Sequence, residues 1–321
     1  MSHAAPAAEP LCPGPAELIR AKGDRTVSVV LPALDERDTI AGVIASIRHL
    51  VGGLVDELVV VDSGSTDDTV ARAIAAGAGA VYTREQAVPG VPVRSGKGEV
   101  LWRSLAVTTG DIVVFIDSDL HDPDPGFVPA LLAPLLRDPG VHLVKGFYRR
   151  PLGEDPHPGI DDGGRVTQLV ARPLLTALVP ELADVRQPLG GEYAATRTLL
   201  TEIPFAPGYG VEIGILLDAW RRHGRAGIGE VDLGVRIHRN RPTHELAVMS
   251  RQIVATLLAR VGIADSGAGL IQFRPEGPGW RRVSTPVSAA DRPPMRSLTT
   301  SPSAVAAAGR VRGRASGHSS R

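Results

Sequence analysis

The sequence predicts an α/β fold, a mostly parallel sheet flanked by helices. Three observations carry this. Short β-branched runs alternate with helical spacing through the first half, the connections between them are short, and polar clusters fall just after strands. In such sheets ligands bind beyond the carboxyl ends of the strands, so those clusters are the first place to look for chemistry.

The elements follow in order. Residues 26–31 (TVSVVL) read as a buried strand closed by Pro32. Residues 39–50 carry a helical stripe of Ile40, Val43, Ile44 and Ile47, with Asp38 as the expected N-cap. A second strand, 57–61, runs into Asp62-Ser-Gly-Ser-Thr-Asp-Asp68, where Thr66 or Asp67 is expected to cap a helix ending at Gly77. A short strand at 80–83, a helix at 97–109 and a strongly apolar strand at 111–116 come next, then a helix at 126–136 and a strand at 141–147. The second half is more mixed. Helices are expected at 165–178, 211–223 and 242–261, with an extended segment at 228–238.

These elements divide the chain into a disordered N-terminus (1–16), a first half (17–150), a second half (151–275) and a Pro/Ser/Arg-rich, largely disordered tail (276–321). At 321 residues, with 43% hydrophobic and 22% charged, the chain can bury a substantial core. Its 35 basic and 35 acidic residues cancel, so no global field favours nucleic acid or an anionic membrane. A signal-peptide pattern and an uninterrupted apolar run of membrane-spanning length are both missing, and Cys12 is the single cysteine. The expectation is a soluble, cytoplasmic protein with no membrane span.

Asp117-Ser118-Asp119 closes the most strand-like run, where two carboxylates can approach one hard divalent cation. The plainer reading is a polar strand end, which the other polar loops on the same rim outweigh. Asp62–Asp68 could read a base or ribose, or merely cap a helix. There is neither a Gly-x-x-x-x-Gly-Lys-Ser/Thr loop nor a Gly-x-Gly-x-x-Gly turn after the first strand, which argues against a phosphate-loop ATPase and a nicotinamide dehydrogenase. Gly96-Lys97-Gly98 sets one of only three lysines (Lys22, Lys97, Lys145) between glycines that allow close approach to a diphosphate. Arg236, His238 and the sole asparagine, Asn240, share one face of an extended segment, and His238 is a candidate metal ligand. Gly163-Gly-Arg-Val-Thr167 opens a helix as a candidate anion site, and Glu212 lies in the first turn of another.

Taken together, the stretches SVVLPAL (28–34), DSGSTDDT (62–69), GKGE (96–99), DIVVFIDSD (111–119), GRVT (164–167), APGYGVEIG (206–214) and 236–242 resemble the GT-A glycosyltransferases. More closely, they resemble the actinobacterial glucosyl-3-phosphoglycerate synthases, over roughly 26–273. The resemblance implies a GT-A (Rossmann-like) fold, with 17–150 as the nucleotide-sugar-binding half and 151–275 as the acceptor-binding half. It implies UDP-glucose as donor, D-3-phosphoglycerate as acceptor, a Mg²⁺ or Mn²⁺ cofactor, retention of configuration, a homodimer, and an early step of methylglucose lipopolysaccharide synthesis. Carried over by residue, Pro32, Ala33, Leu34, Glu36 and Ser63 would hold the uridine, and Lys97 would sit near the diphosphate. Asp117, Ser118 and Tyr209 join the donor side. Asp119 and His238 would ligate the cation. Gly164, Arg165, Val166, Thr167 and Asn240 would bind the acceptor, with Glu212 and Arg236 at the sugar as the catalytic pair. Two other readings stay open: another donor such as GDP-mannose, or a nucleotide-binding regulator without turnover.

Overall fold

The computed structural model describes residues 14–149, 164–236, 242–287 and 290–299. Its strands are β1 (Val27–Ala33), β2 (Glu57–Asp62), β3 (Ala80–Thr83), β4 (Ile112–Phe115), β5 (Leu143–Arg149), β6 (Tyr193–Thr196), β7 (Ile228–Val235), β8 (Leu270–Glu276) and β9 (Gly279–Thr285). The helices of the first half are α1 (Pro15–Lys22), α2 (Ile40–Arg48), α3 (Thr69–Ala76), α4 (Arg84–Ala87), α5 (Lys97–Val107) and α6 (Phe127–Arg137). Those of the second half are α7 (Arg172–Leu178), α8 (Arg197–Glu202), α9 (Val211–His223), α10 (Thr243–Val261) and α11 (Arg296–Thr299).

β1 to β7 form one sheet in the order β3-β2-β1-β4-β6-β5-β7, and β8 and β9 make a separate antiparallel hairpin. Every neighbouring pair in the large sheet is parallel except β4/β6 and β5/β6, so β6 alone runs backwards. Alternation sorts side chains onto two cores. Along β4, Ile112 and Val114 enter one apolar cluster with α2 and α6, while Val113 and Phe115 enter the other with α5, α8 and α9. The expected parallel sheet with flanking helices is therefore present, with one reversed strand added.

Several boundaries move, for physical reasons. Pro32 lies inside β1, paired with Val61. Its missing N–H would point toward β4, whose pairing with β1 already ended at Val30↔Phe115, so no ladder bond is lost. Asp38 does not cap α2. Thr39 takes the N-cap position without a side-chain bond, and the Glu36 carbonyl accepts from both Thr39 N–H and Ile40 N–H. α3 starts later than expected, because Asp67 accepts from Thr69 N–H and holds the turn open one step further. The helix expected at 165–178 contains a π-turn, Thr167–Ala171, before α7.

β6 was not expected, and neither was the β8–β9 hairpin. Of the tail foreseen as disordered, residues 276–287 and 290–299 are ordered, with β9 paired along its length and Met295 buried, while 300–321 lie outside the described residues. Because β6 and β7 complete the same sheet as β1 to β4, position 150 does not separate two sheets.

Candidate active site

β1, β2 and β4 are parallel neighbours, so their carboxyl ends share one rim. A cavity of ≈ 200 Å³ opens there, lined by Pro32, Ala33, Leu34, Glu36, Ser63, Gly96, Lys97, Val100, Asp117, Ser118, Asp119 and Tyr209. The nine residues that sequence reasoning put on the donor side thus sit on one surface, together with Asp119. Ser118 is buried, and its hydroxyl donates to the Pro32 carbonyl at 2.8 Å, tying the end of β4 to that of β1.

The loop after β2 folds on itself. Asp62 accepts from Gly64 N–H (2.9 Å) and from Ser65 N–H and Oγ–H, and Asp35, held at φ 54, accepts from Thr66 N–H. Gly64 takes φ +96, which a residue with Cβ rarely adopts. This presents Ser63 to the cavity beside the β1 loop.

α5 begins at Lys97, after Gly96 at φ +100. A Cβ on Gly96 would lie 2.8 Å from the Gly208 Cα, and one on Gly98 would overlap the Ala206 carbonyl. The glycines let α5 abut the loop that carries Tyr209 and Glu212. Lys97 Nζ then sits 2.5 Å from Asp117 Oδ1 and 2.7 Å from Glu212 Oε1. Burial opposes its charge, but Asp117 and Glu212 outweigh it and hold its pKa well above the ordinary lysine value.

Asp117 is held from the other side by Arg236, whose Nη2 reaches Asp117 Oδ2 at 3.1 Å and Asp119 Oδ1 at 2.7 Å. Burial would raise the Asp117 pKa, and Lys97 and Arg236 together drive it far below the usual carboxylate range. The same guanidinium donates to the Tyr148 hydroxyl at 2.8 Å and lies 3.3 Å from the fully buried Glu192. Glu212, Lys97, Asp117, Arg236 and Glu192 thus form one chain of alternating charge. Such buried charges are costly to orphan, so each holds its neighbour in place.

Not every predicted residue joins this cavity. Val166 is buried in the apolar core and Thr167 begins the π-turn, so Gly164 to Thr167 stand apart from the lining residues. His238 and Asn240 lie outside the described residues. Sequence reasoning missed Lys145, Tyr148, Glu192 and Tyr193. Lys145 donates to the Gly190 carbonyl at 2.6 Å and sits 4.6 Å over the Tyr193 ring. Burial pushes its pKa down to about 8. A Cβ on Gly191 would overlap the Asp117 carboxylate, so the 190–192 segment packs directly behind it. The scarcity of lysine was a signal that could have flagged Lys145.

Residues 28–161 match the family model described as glycosyl transferase family 2. The chain is 64% identical over 283 residues to the glucosyl-3-phosphoglycerate synthase of Mycolicibacterium smegmatis, covering 88% of this chain and 93% of that one. It superposes with a TM-score of 0.83 at 62% identity on the Mycobacterium tuberculosis glucosyl-3-phosphoglycerate synthase in complex with Mn²⁺, UDP and phosphoglyceric acid, covering 89% of this chain and 96% of that one. A second structure of that enzyme, with Mn²⁺, UDP-glucose and glycerol 3-phosphate, gives a TM-score of 0.83 at 60% identity, over 91% and 98% of the two chains.

Proposed function

The chain belongs to the glucosyl-3-phosphoglycerate synthases, and on that premise we propose which of its residues carry the reaction and how. It transfers glucose from UDP-glucose to 3-phosphoglycerate and uses a divalent cation. The observation that carries the residue assignment is the cavity at the strand ends, where Lys97, Asp117 and Asp119 meet the loops of β1 and β2.

The donor set suits Mg²⁺ or Mn²⁺. Among the described residues, groups of three or more His, Cys, Asp or Glu that could cage a metal are absent. Asp119 offers a one-third exposed carboxylate at the cavity. A sparse hard-oxygen site of this kind suits a cation that takes its remaining ligands from substrate phosphates. Asp119 would hold it, with His238 as the second protein ligand. The cation supplies neutralisation of the charge that builds on the departing diphosphate.

Pro32, Ala33, Leu34, Glu36 and Ser63 hold the uridine in this reading, with Ser118 and Tyr209 beside them. Lys97 places an ammonium against the diphosphate. Gly164, Arg165, Val166, Thr167 and Asn240 form the acceptor's anion site, using the open backbone at the start of the π-turn. Glu212 and Arg236 face the sugar. Asp117 and Glu212 are each committed to an ion pair, which supports attack on the same face as the leaving phosphate rather than through an enzyme nucleophile. Glu212→Gln should then leave measurable turnover, and NMR of the product should show the donor's anomeric configuration. Complete loss of turnover in a folded variant would restore the nucleophile.

We also propose a homodimer and a cytoplasmic setting. The exposed apolar face of the β8–β9 hairpin supports the first and the single cysteine supports the second. Among the described residues, no helix is long and apolar enough to cross a membrane.

The test is direct. Purified protein with Mg²⁺ or Mn²⁺, UDP-glucose and 3-phosphoglycerate should release UDP and form glucosyl-3-phosphoglycerate, and EDTA should stop it. Asp119→Ala should lose both Mn²⁺ binding and at least about a hundredfold in turnover. Turnover with GDP-mannose in preference to UDP-glucose would reassign the donor. UDP binding without turnover of any donor would make the protein a regulator.

A further inference from the structure

The segment 290–299 lies more than 170 residues beyond the strand that carries Asp117 and outside every motif described above, yet it is tied to both walls of the donor cavity. Its centre is Arg292, which is buried. The guanidinium reaches Glu99 Oε2 at 2.6 Å and Oε1 at 2.7 Å, and donates to the Pro92 carbonyl at 2.5 Å. Glu99 is two residues past Lys97 in the first turn of α5. Pro92 belongs to the loop that leads into Gly96. This fork therefore fixes the entry and first turn of the helix that aims Lys97.

The backbone of Arg292 holds the other wall. It exchanges both bridge bonds with Phe205, at 2.8 and 3.0 Å. Phe205 precedes the Ala206–Gly210 turn against which Gly96 and Gly98 pack, and which leads to Tyr209 and Glu212. Neighbouring contacts reinforce the tie. Trp102 Nε1 donates to the Pro293 carbonyl at 2.8 Å, Arg94 to the Ala290 carbonyl at 2.9 Å, and Arg260 pairs with Asp291 at 2.7 Å.

We propose that Arg292 is a positioning residue for the donor: it clamps the α5 entry to the 205–210 turn and so fixes the spacing between Lys97 and Glu212. The role rests on the assignment of this cavity to UDP-glucose made above. Glu99 retains Arg103 as a second buried partner at 2.5 Å, so loss of the Arg292 side chain loosens the walls without orphaning the carboxylate. A misplacement of an ångström or less is enough to cost binding and rate.

The experiment measures UDP affinity by calorimetry in the presence of Mn²⁺, steady-state KM for both substrates, and Tm, on the full chain. Arg292→Met should weaken UDP and raise the UDP-glucose KM by about tenfold, leaving the 3-phosphoglycerate KM within about twofold. Arg292→Lys, with charge but no fork, should fall between it and the wild type. Met295→Ala controls for packing: it opens a core cavity in the same segment and should lower Tm without moving UDP affinity. Equal UDP affinity for Arg292→Met and wild type overturns the proposal. So does an equal weakening in Met295→Ala at matched Tm, which would make the segment a plain stabiliser. A wild-type chain that binds no UDP overturns the cavity assignment itself and this inference with it.

Discussion

Lys145 is the residue whose surroundings say most about how the cavity is tuned. It has no exposure to speak of, and the charges that act on it are Glu212, Lys97, Glu192 and Asp117, with the Tyr193 ring against it. Burial brings its pKa from 10.5 down to about 8. Below that value three cations, Lys97 in the cavity wall and Lys145 and Arg236 behind it, act on the site. Above it the cavity becomes one unit more negative and less welcoming to a diphosphate. UDP affinity should fall several-fold as pH rises through about 8, and Lys145→Met should bind weakly but with a flat profile over that range. The stability sign is the opposite. The unfolded lysine keeps its proton to higher pH than the folded one, so stability gains from this group as pH rises between about 8 and 10.5. A UDP titration series across that range, paired with denaturation midpoints, checks both. What the sequence pointed to at this scale were residues in local motifs, such as Ser63 after β2, Lys97 at the start of α5 and Asp119 after β4. Lys145 and Glu192 were hidden because their roles depend on register. Lys145 pairs with Tyr193 across a gap of 48 residues, and no local pattern records that.

Among elements, the strands and helices that sequence analysis found are those with a strong stripe or a continuous β-branched run, and their centres agree with the structure. β6 escaped because Tyr-Ala-Ala-Thr has neither alternation nor bulk; its pairing with β4 and β5 stabilises what its own propensity does not. The reversed direction has a use. Residues just before an antiparallel strand lie at the same rim as residues just after its neighbour, so Gly190 to Glu192 meet Asp117. α5 shows the complementary case, a helix placed by what its residues lack. Gly98→Ala would drive a methyl group into the Ala206 carbonyl, and the backbone there must shift. The expected cost is about 1–3 kcal/mol of stability together with a raised UDP-glucose KM, read by chemical denaturation and kinetics. An unchanged denaturation midpoint would mean that α5 and the 206–208 turn are not in contact in solution.

Across the whole molecule, one sheet carries the cavity while the hairpin stands off it. Cross-strand register puts Ile271, Phe273 and Pro275 on one hairpin face with Ser284, Arg282 and Trp280. Phe273 is 62% exposed and Trp280 70%. A two-stranded hairpin with an uncovered aromatic face is marginal alone, and this is the face that the proposed homodimer would cover. The double substitution Phe273→Ser and Trp280→Ser should weaken self-association at least about a hundredfold, as seen by sedimentation, without altering the large sheet. A dimer that persists unchanged would place the interface elsewhere. This hairpin was not legible beforehand, since the composition shift near Pro275 reads as disorder when pairing across the turn is not considered.

The return of Arg292 to Glu99 also has a consequence in time. The two lie 193 positions apart. A ribosome adding 5–20 residues per second delivers Arg292 on the order of ten to forty seconds after Glu99. During that interval the α5 entry and the 205–210 turn can fold and meet through Gly96, Gly98 and the Lys97–Glu212 pair, but without the fork of Arg292 that clamps one to the other. The site that grips the nucleotide is therefore among the last parts of this protein to become complete, and a nascent chain stalled before residue 290 would carry every motif of the donor cavity without its clamp.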